Sequence, residues 1–129
     1  PVAQFAGPNA VGSQEVGQWK LVGKVSELPP RAGLKAAYGP NPLWVIHLEQ
    51  EPRFRALSAI CTNLGCIVHW YDDKGLFHSP CHDGKFDIQG KVISGPPPRA
   101  LPPYDLQMQG DNIYVKNIFP LSEYSRTGA

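Results

Sequence analysis

Proline and glycine interrupt this chain so often that they decide what it can fold into. The 129 residues include 14 prolines and 13 glycines, and both residue types favour turns and loops over long helices. Between them lie short runs rich in β-branched and aromatic residues, which are typical of strands. The sequence therefore predicts an all-β fold, built as an antiparallel β-sandwich or small barrel.

The predicted strands are bounded by turn signals. They cover residues 19–25, 43–49, 54–60, 66–70, 75–78, 85–88, 91–94, 105–109 and 112–118. Three tight turns, at the Asp-rich YDDK (71–74), at Gln89-Gly90 and at Gly110-Asp111, are expected to close hairpins. No internal repeat or domain boundary interrupts the pattern, so we expect one domain over residues 1–129.

Two connections and the C-terminal tail are expected to lack strands. Residues 27–42 form a long link with room for one helical turn. Residues 94–103, SGPPPRALPP, are expected to form a stiff loop, because their prolines remove amide donors. The tail SEYSRTGA, residues 122–129, is expected to fray or to rest on a partner.

Composition excludes several classes of protein. The formal net charge is only +1 and charged residues make up 18% of the chain, which argues against a nucleic-acid partner and against disorder. No stretch approaches the roughly 20 apolar residues of a membrane span. The first residues, PVAQFAGPNA, lack a basic segment followed by an apolar one, so we expect a soluble chain whose anchor or signal has been removed.

The side chains best suited to bind a metal fall in two clusters. Cys61 and Cys66 lie in CTNLGC, and His78, Cys81 and His82 lie in HSPCH. Because the chain has three cysteines, at most one disulfide can form within it and one thiol is left over. This spacing indicates the two halves of a metal site.

Other histidines have simpler interpretations. His47 and His69 lie within strand patterns and are expected to be ordinary, partly buried side chains. Ser79 next to His78, or near His82, does not predict nucleophilic catalysis, because adjacent residues rarely place a hydroxyl and an imidazole correctly and no third group is evident.

Together these motifs resemble the Rieske iron-sulfur family. CT.LGC, PCH..KFD and GPPPR occur in the family's order and at fitting intervals, and VGKVSELPP near the start also matches. In that family each of two loops gives one Cys and one His to a [2Fe-2S] cluster. The resemblance implies a Rieske-type fold with a two-loop cluster-binding subdomain at about residues 61–100, covered by the Gly-Pro-rich segment.

The departures from the family fall on the cluster ligands. The resemblance places the four ligand positions at Cys61, Asn63, Ser79 and His82. One iron would have Cys61 and Ser79 and the other Asn63 and His82, so each keeps one of two donors. A neutral amide is a poor iron ligand, and a serine hydroxyl loses its proton at much higher pH than a thiol.

Further departures lie beside the second loop. Quinol-oxidising members have a Ser and a Tyr that donate hydrogen bonds to the cluster, where this chain has Gly84 and Phe86. Asp83 replaces a family Gly and would bring a carboxylate near a negatively charged cluster.

The family's second cysteine pair is retained. The resemblance implies a disulfide between Cys66 and Cys81, which leaves Cys61 as the unpaired thiol. In the chain-entropy model, closing a loop of about 15 residues stabilises the fold by roughly 3 kcal/mol. Such a bond could hold both loops without metal.

Three functions are therefore open. The first is a non-catalytic Rieske-fold subunit without a cofactor, acting in structure or docking. The second is a [2Fe-2S] protein with substituted ligands, with Ser79 and His78 or another neighbour as donors, which passes electrons from quinol to a cytochrome. The third is a zinc site of Cys61, Cys66, Cys81 and His82 in a reduced protein. Deliberate substitution would also explain Asn63 and Ser79, but explains Gly84 and Phe86 less readily.

The GPPPR motif is closer to the membrane-complex branch of the family. That branch implies other subunits of a cytochrome bc-type electron-transfer complex as partners, and quinol or cytochrome c as contacts. It also implies a location in the periplasm or on the outer face of the cytoplasmic membrane, where a disulfide persists, and an anchoring segment outside this chain.

Overall fold

Antiparallel strands dominate the computed structural model, which describes residues 17–62, 65–81, 83–97 and 99–124. The strands are β1 Lys20–Lys24, β2 Gly33–Tyr38, β3 Asn41–His47, β4 Phe54–Ser58, β5 His69–Tyr71, β6 Leu76–Ser79, β7 Gly84–Phe86, β8 Val92–Ser94, β9 Pro103–Gln109 and β10 Asn112–Asn117. Two short 3-10 helices cover Val25–Glu27 and Leu121–Tyr124. The all-β prediction is confirmed. None of the helices described is long and apolar enough to cross a membrane.

The strands form two antiparallel sheets. The larger sheet has six strands in the order β1-β10-β9-β4-β3-β2, and the smaller has four in the order β5-β6-β7-β8. The edge strands β1 and β2 of the larger sheet approach each other where Leu34 lies over Gly23. The larger sheet is thus a nearly closed barrel, and the smaller sheet carries the two Cys/His loops.

The three predicted hairpin turns are confirmed. His69 pairs with His78 across the YDDK turn, Lys85 pairs with Ser94 across the Gln89-Gly90 turn, and Gln109 pairs with Asn112 around Gly110. Gly90 and Gly110 both have positive φ, at 86° and 61°. Glycine adopts positive φ without steric cost, and tight hairpin turns need it. These glycines therefore favour the pairing of the strands on either side of each turn.

One prediction about the irregular segments is wrong, and another is wrong only for the part of the tail that the structure describes. The link 27–42 contains strand β2, whose Lys35 lies opposite Trp44 of β3, and the one short helix nearby begins before the link, at Val25. The tail does not fray over residues 122–124, because Tyr124 is only 1% exposed; its last five residues lie outside the described part. Residues 95–97 and 99–102 are free of strands, as predicted.

The interior has two apolar clusters. One lies inside the barrel and includes Leu43, Val45 and Ile113; the other lies between the sheets and includes Phe77 and Phe86. All five side chains have no exposed surface. Burying them removes apolar area from water, and the second cluster joins the small sheet to the barrel.

Hydrogen bonds between the sheets fix their relative placement. The Trp44 indole donates to the Val68 carbonyl at 3.0 Å, and the Trp70 indole donates to the Arg31 carbonyl at 3.0 Å. The Arg31 guanidinium in turn donates to the Asp72 carbonyl at 2.7 Å. The loops at the far end of the small sheet are therefore carried on a rigid support.

Three tyrosines pack together within the barrel. The Tyr104 ring lies 4.3 Å from the Tyr124 ring and 5.8 Å from the Tyr38 ring, between centroids. Burial raises the pKa of all three phenols above the ordinary value. Within the described residues, the Tyr104 hydroxyl has no hydrogen-bond partner.

The Tyr104→Phe variant should become relatively more stable than the parent in alkali. At pH 7 we expect a change in unfolding free energy within about 1 kcal/mol, because the Tyr104 hydroxyl makes no hydrogen bond to the described residues. A folded pKa above the unfolded value gives stability that is present below about pH 10 and lost above it, at up to about 1.4 kcal/mol per pH unit for each phenol. Urea unfolding at several pH values should show a shallower alkaline slope for the variant. Equal slopes would contradict this account.

Candidate functional site

The first loop begins in the core between the sheets. Ile60 forms an isolated antiparallel bridge with Ile67, and the Cys61 amide donates to the Cys66 carbonyl at 2.7 Å. These contacts close the loop as a short hairpin. Cys61 is 2% exposed and is a free thiol, so the leftover cysteine lies inside the protein.

The second loop connects β6 to β7. Ser79 at the end of β6 pairs with Gly84 at the start of β7. The Ser79 side chain has no exposed surface, and its hydroxyl has no hydrogen-bond partner among the described residues. A buried hydroxyl without a partner is costly, so Ser79 is a polar group that the packing of the described residues leaves unsatisfied.

A disulfide joins the two loops. Cys66 and Cys81 are bonded across a sequence separation of 15 residues. This confirms the predicted pairing and the assignment of Cys61 as the spare thiol. It also removes both bonded sulfurs from any donor set, which counts against the predicted four-ligand zinc site.

The Gly-Pro-rich segment 95–99, here called the cover loop, contacts both Cys/His loops. The Thr62 hydroxyl donates to the Arg99 carbonyl at 2.6 Å. Gly95 lies so close to the second loop that a Cβ added to it would be 2.8 Å from Gly84 Cα. Pro97 is buried against Gly84. The cover loop is therefore closed onto this end of the protein by direct packing.

The Gly84→Ser variant should lose stability. A Cβ at position 84 would lie 2.7 Å from Cγ and 3.0 Å from Cδ of Pro97, and a proline ring cannot rotate away. We expect a loss of about 1–3 kcal/mol, typical of overpacking. Thermal or urea unfolding measures it. Gly84→Ala is the matched control and should lose a similar amount, since the Cβ causes the clash; an unchanged stability in both variants would contradict the packing.

Asp83 and His78 form an ion-pair contact outside the core. Asp83 Oδ1 lies 2.8 Å from His78 Nε2, and Asp83 has a positive φ of 55°, which explains why a glycine suits this position. The hydrogen bond from His78, with the charge of Lys85 nearby, lowers the pKa of Asp83. Because neighbours in a strand point to opposite faces, His78 faces away from Ser79, which counts against it as a substitute iron donor.

The structure describes two of the four predicted ligand positions. Cys61 and Ser79 both lie buried at the loop bases, whereas Asn63 and His82 lie outside the described residues. Within the described ranges, no three His, Cys, Asp or Glu side chains converge as a metal site.

His47 and His69, both expected to be partly buried, differ in exposure. His47 is partly buried in strand β3, its Nδ1 lies 2.8 Å from the Leu28 carbonyl and its ring stacks on Phe54, so the prediction of an ordinary, partly buried side chain is confirmed. His69 is exposed, so its predicted partial burial is wrong.

Comparison with known proteins places this geometry in a family. The family model described as the Rieske [2Fe-2S] domain matches residues 18–105. A relative from Chlorobaculum thiosulfatiphilum, named cytochrome b6-f complex iron-sulfur subunit, is 36% identical over 115 residues, which are 89% of this chain and 62% of that protein. This chain therefore spans less than two thirds of that relative's length.

Solved structures agree. The crystal structure of the cyanobacterial plasma membrane Rieske protein from Synechocystis PCC 6803 superimposes with a TM-score of 0.68 at 35% identity, over 74% of this chain and 97% of that one. A chain of a hyperthermophilic respiratory Complex III gives 0.61 at 31% identity, over 81% and 75%. The chain belongs to the Rieske [2Fe-2S] family.

Proposed function

We propose that this Rieske domain has lost its cluster and serves as a structural or docking subunit of a membrane electron-transfer complex. The observation that carries the proposal is the pair of replaced ligand positions, Asn63 and Ser79, in a chain that keeps the family's two disulfide cysteines and its GPPPR motif. Residues 1–129 would form a single domain in this role. The subunit would have no catalytic residues of its own.

The donor set does not fit a cluster held in the family's manner. One iron would have the thiol of Cys61 and the hydroxyl of Ser79, and the other the amide of Asn63 and the imidazole of His82. Thiolate and imidazole are the donors that such irons use. A neutral amide and a protonated hydroxyl do not replace them at neutral pH.

The two loops have other contacts that keep them folded. The Cys66–Cys81 disulfide joins them, and the cover loop is bonded to the first through Thr62 and packed on the second through Pro97. A metal supplies folding energy where the chain cannot fold alone. Here the disulfide and the packing of the cover loop stabilise the two loops instead, so they can stay folded without iron.

The partners follow from the relatives. One relative is named as a subunit of a cytochrome b6-f complex, and one structural neighbour belongs to a respiratory Complex III. We carry over from them the other subunits of a cytochrome bc-type or b6-f-type complex as partners. The family resemblance adds quinol or cytochrome c as further contacts, and the net charge of +1 argues against nucleic acid. The disulfide favours the periplasm or the outer face of the cytoplasmic membrane, with an anchor outside this chain.

Iron analysis tests the proposal. Freshly purified protein should contain iron and acid-labile sulfide well below one atom per chain and should be colourless. Its spectrum after reduction with dithionite should lack the paramagnetic resonance signal of a Rieske centre. About two irons and two sulfides per chain, with that signal, would overturn the loss of the cluster.

One observation favours a second candidate, a [2Fe-2S] electron carrier with a serine ligand. Among the described residues, the buried Ser79 hydroxyl has no hydrogen-bond partner, at a position where the family has a cysteine ligand. Cys61, at the matching position of the first loop, is a free thiol. Iron would satisfy that hydroxyl. The Ser79→Ala variant separates the candidates, because it should lose iron if serine is a ligand and should keep its stability within about 1 kcal/mol if the hydroxyl is simply unsatisfied.

A further inference from the structure

Cys61 lies directly across from a disulfide-bonded cysteine. The Ile60–Ile67 bridge is flanked by two backbone hydrogen bonds, from Cys61 N to Cys66 O at 2.7 Å and from Val68 N to Ala59 O at 2.7 Å. This is the hydrogen-bond pattern around a non-hydrogen-bonded pair of an antiparallel ladder. In such a ladder, the residues on either side of that pair are opposite each other as well. Continuing this register by one residue places Cys61 opposite Cys66, joined by one of the two hydrogen bonds that such a pair can exchange.

Partners of this kind share one face of the hairpin. In antiparallel pairs generally, the Cα atoms of opposite residues lie about 4.5–5.5 Å apart, inside the roughly 4.4–6.8 Å that a disulfide spans. Cys61 belongs to the core cluster between the sheets, and Cys66 packs against the same cluster. The register thus gives Cys66 two possible sulfur partners, Cys61 in its own loop and Cys81 in the other.

We propose that the three cysteines form a thiol–disulfide relay with two disulfide states. The Cys61 thiolate attacks the Cys66 sulfur, the Cys61–Cys66 bond forms, the Cys66–Cys81 bond breaks, and Cys81 leaves as a thiolate that takes up the proton that Cys61 gave up. One disulfide and one thiol are present before and after, so no oxidant or reductant is consumed. The relay rests on the proposed function, because it needs Cys61 free of iron.

The exchange moves the thiol from the interior to the surface. Cys61 is 2% exposed, whereas Cys81 is exposed. In the second state the two loops are no longer covalently joined, and an accessible thiol lies at the tip of the second loop. Such a thiol can form a mixed disulfide with glutathione or with a cysteine of a neighbouring subunit.

The Cys81→Ser variant isolates the second state. Purified without reductant and denatured in iodoacetamide, it should contain no free thiol, and peptide mapping should recover a Cys61–Cys66 disulfide. The Cys66→Ser variant is the matched control, because Cys61 and Cys81 are not register partners, and it should keep two free thiols. Two free thiols in Cys81→Ser, or a Cys61–Cys81 disulfide in Cys66→Ser, would overturn the relay.

The unmodified chain gives an independent readout if a variant fails to fold. After incubation in a buffer of reduced and oxidised glutathione, native alkylation should label Cys81 in a measurable fraction of molecules, with Cys61 and Cys66 recovered as a disulfide. Labelling of Cys61 alone would overturn the relay. Iron measured in the same samples separates the loss of the cluster from the relay. Protein that contains iron and whose Cys61 is protected from alkylation would overturn both proposals. Iron-free protein in which no exchange occurs would overturn only the relay.

Discussion

Restoring the two replaced donors, with Asn63→His and Ser79→Cys together, should raise the iron content well above that of the parent, to about two irons per chain. The loops are already joined by the Cys66–Cys81 disulfide, so the variant regains thiolate and imidazole donors on a folded frame. Iron and acid-labile sulfide after reconstitution, with the resonance spectrum of the reduced protein, measure the effect. With no hydroxyl at Gly84 or Phe86 to stabilise the reduced cluster, we expect a reduction potential in the lower part of the Rieske range.

The single variants are the controls. Asn63→His alone and Ser79→Cys alone each leave one iron with a single strong donor. Each single variant should therefore bind much less iron per chain than the double variant. A double variant that folds but takes up no iron would show that more than the donor set has been lost. Equal uptake by the parent would contradict the account, because the replaced positions would then not matter.

The Tyr124→Ala variant should lose about 3–5 kcal/mol of unfolding free energy, as large aromatic truncations in a core do. The ring is 1% exposed and packs on Tyr104. Its hydroxyl donates to the Pro103 carbonyl at 2.7 Å and accepts from the amides of Ile118 and Phe119 at 3.0 and 3.3 Å. The residue thus joins the tail to the start of β9. Urea unfolding monitored by circular dichroism measures the loss.

The Tyr124→Phe variant separates packing from hydrogen bonding. It keeps the ring and leaves the three backbone groups without that partner, so it should lose about 1–3 kcal/mol. If Tyr124→Ala cost less than 1 kcal/mol, the tail would not be part of the core. Equal losses in the two variants would mean that hydrogen bonding, and not packing, holds the tail.

Turn chemistry made much of the fold predictable. Gly90 and Gly110 have the positive φ that a hairpin turn favours, and the strands beside them pair as the alternating patterns indicate. Strand β2 was missed because its core, LKAA, lacks the β-branched residues that mark a strand; its partner β3 determines its conformation. Tyr124 was missed because a single aromatic in a polar tail has no periodicity, and its burial depends on distant contacts.

At the site, the sequence indicated the disulfide and the spare thiol through the family resemblance, and the structure has both. The contact of Pro97 with Gly84 could not be predicted, because it depends on how the cover loop folds back. The contact between Asp83 and His78 could not be predicted without the register of β6 and β7. That the Ser79 hydroxyl has no partner among the described residues could not be predicted either, because it depends on the packing around it.

The central claim is that this end of the domain keeps its shape without an inorganic core. The most direct measurement is an anomalous difference map, recorded at the iron absorption edge from crystals of the unmodified protein. The account predicts no iron peak between the loops at Cys61 and Ser79. A pair of iron peaks in that position would contradict it, whichever side chains held them.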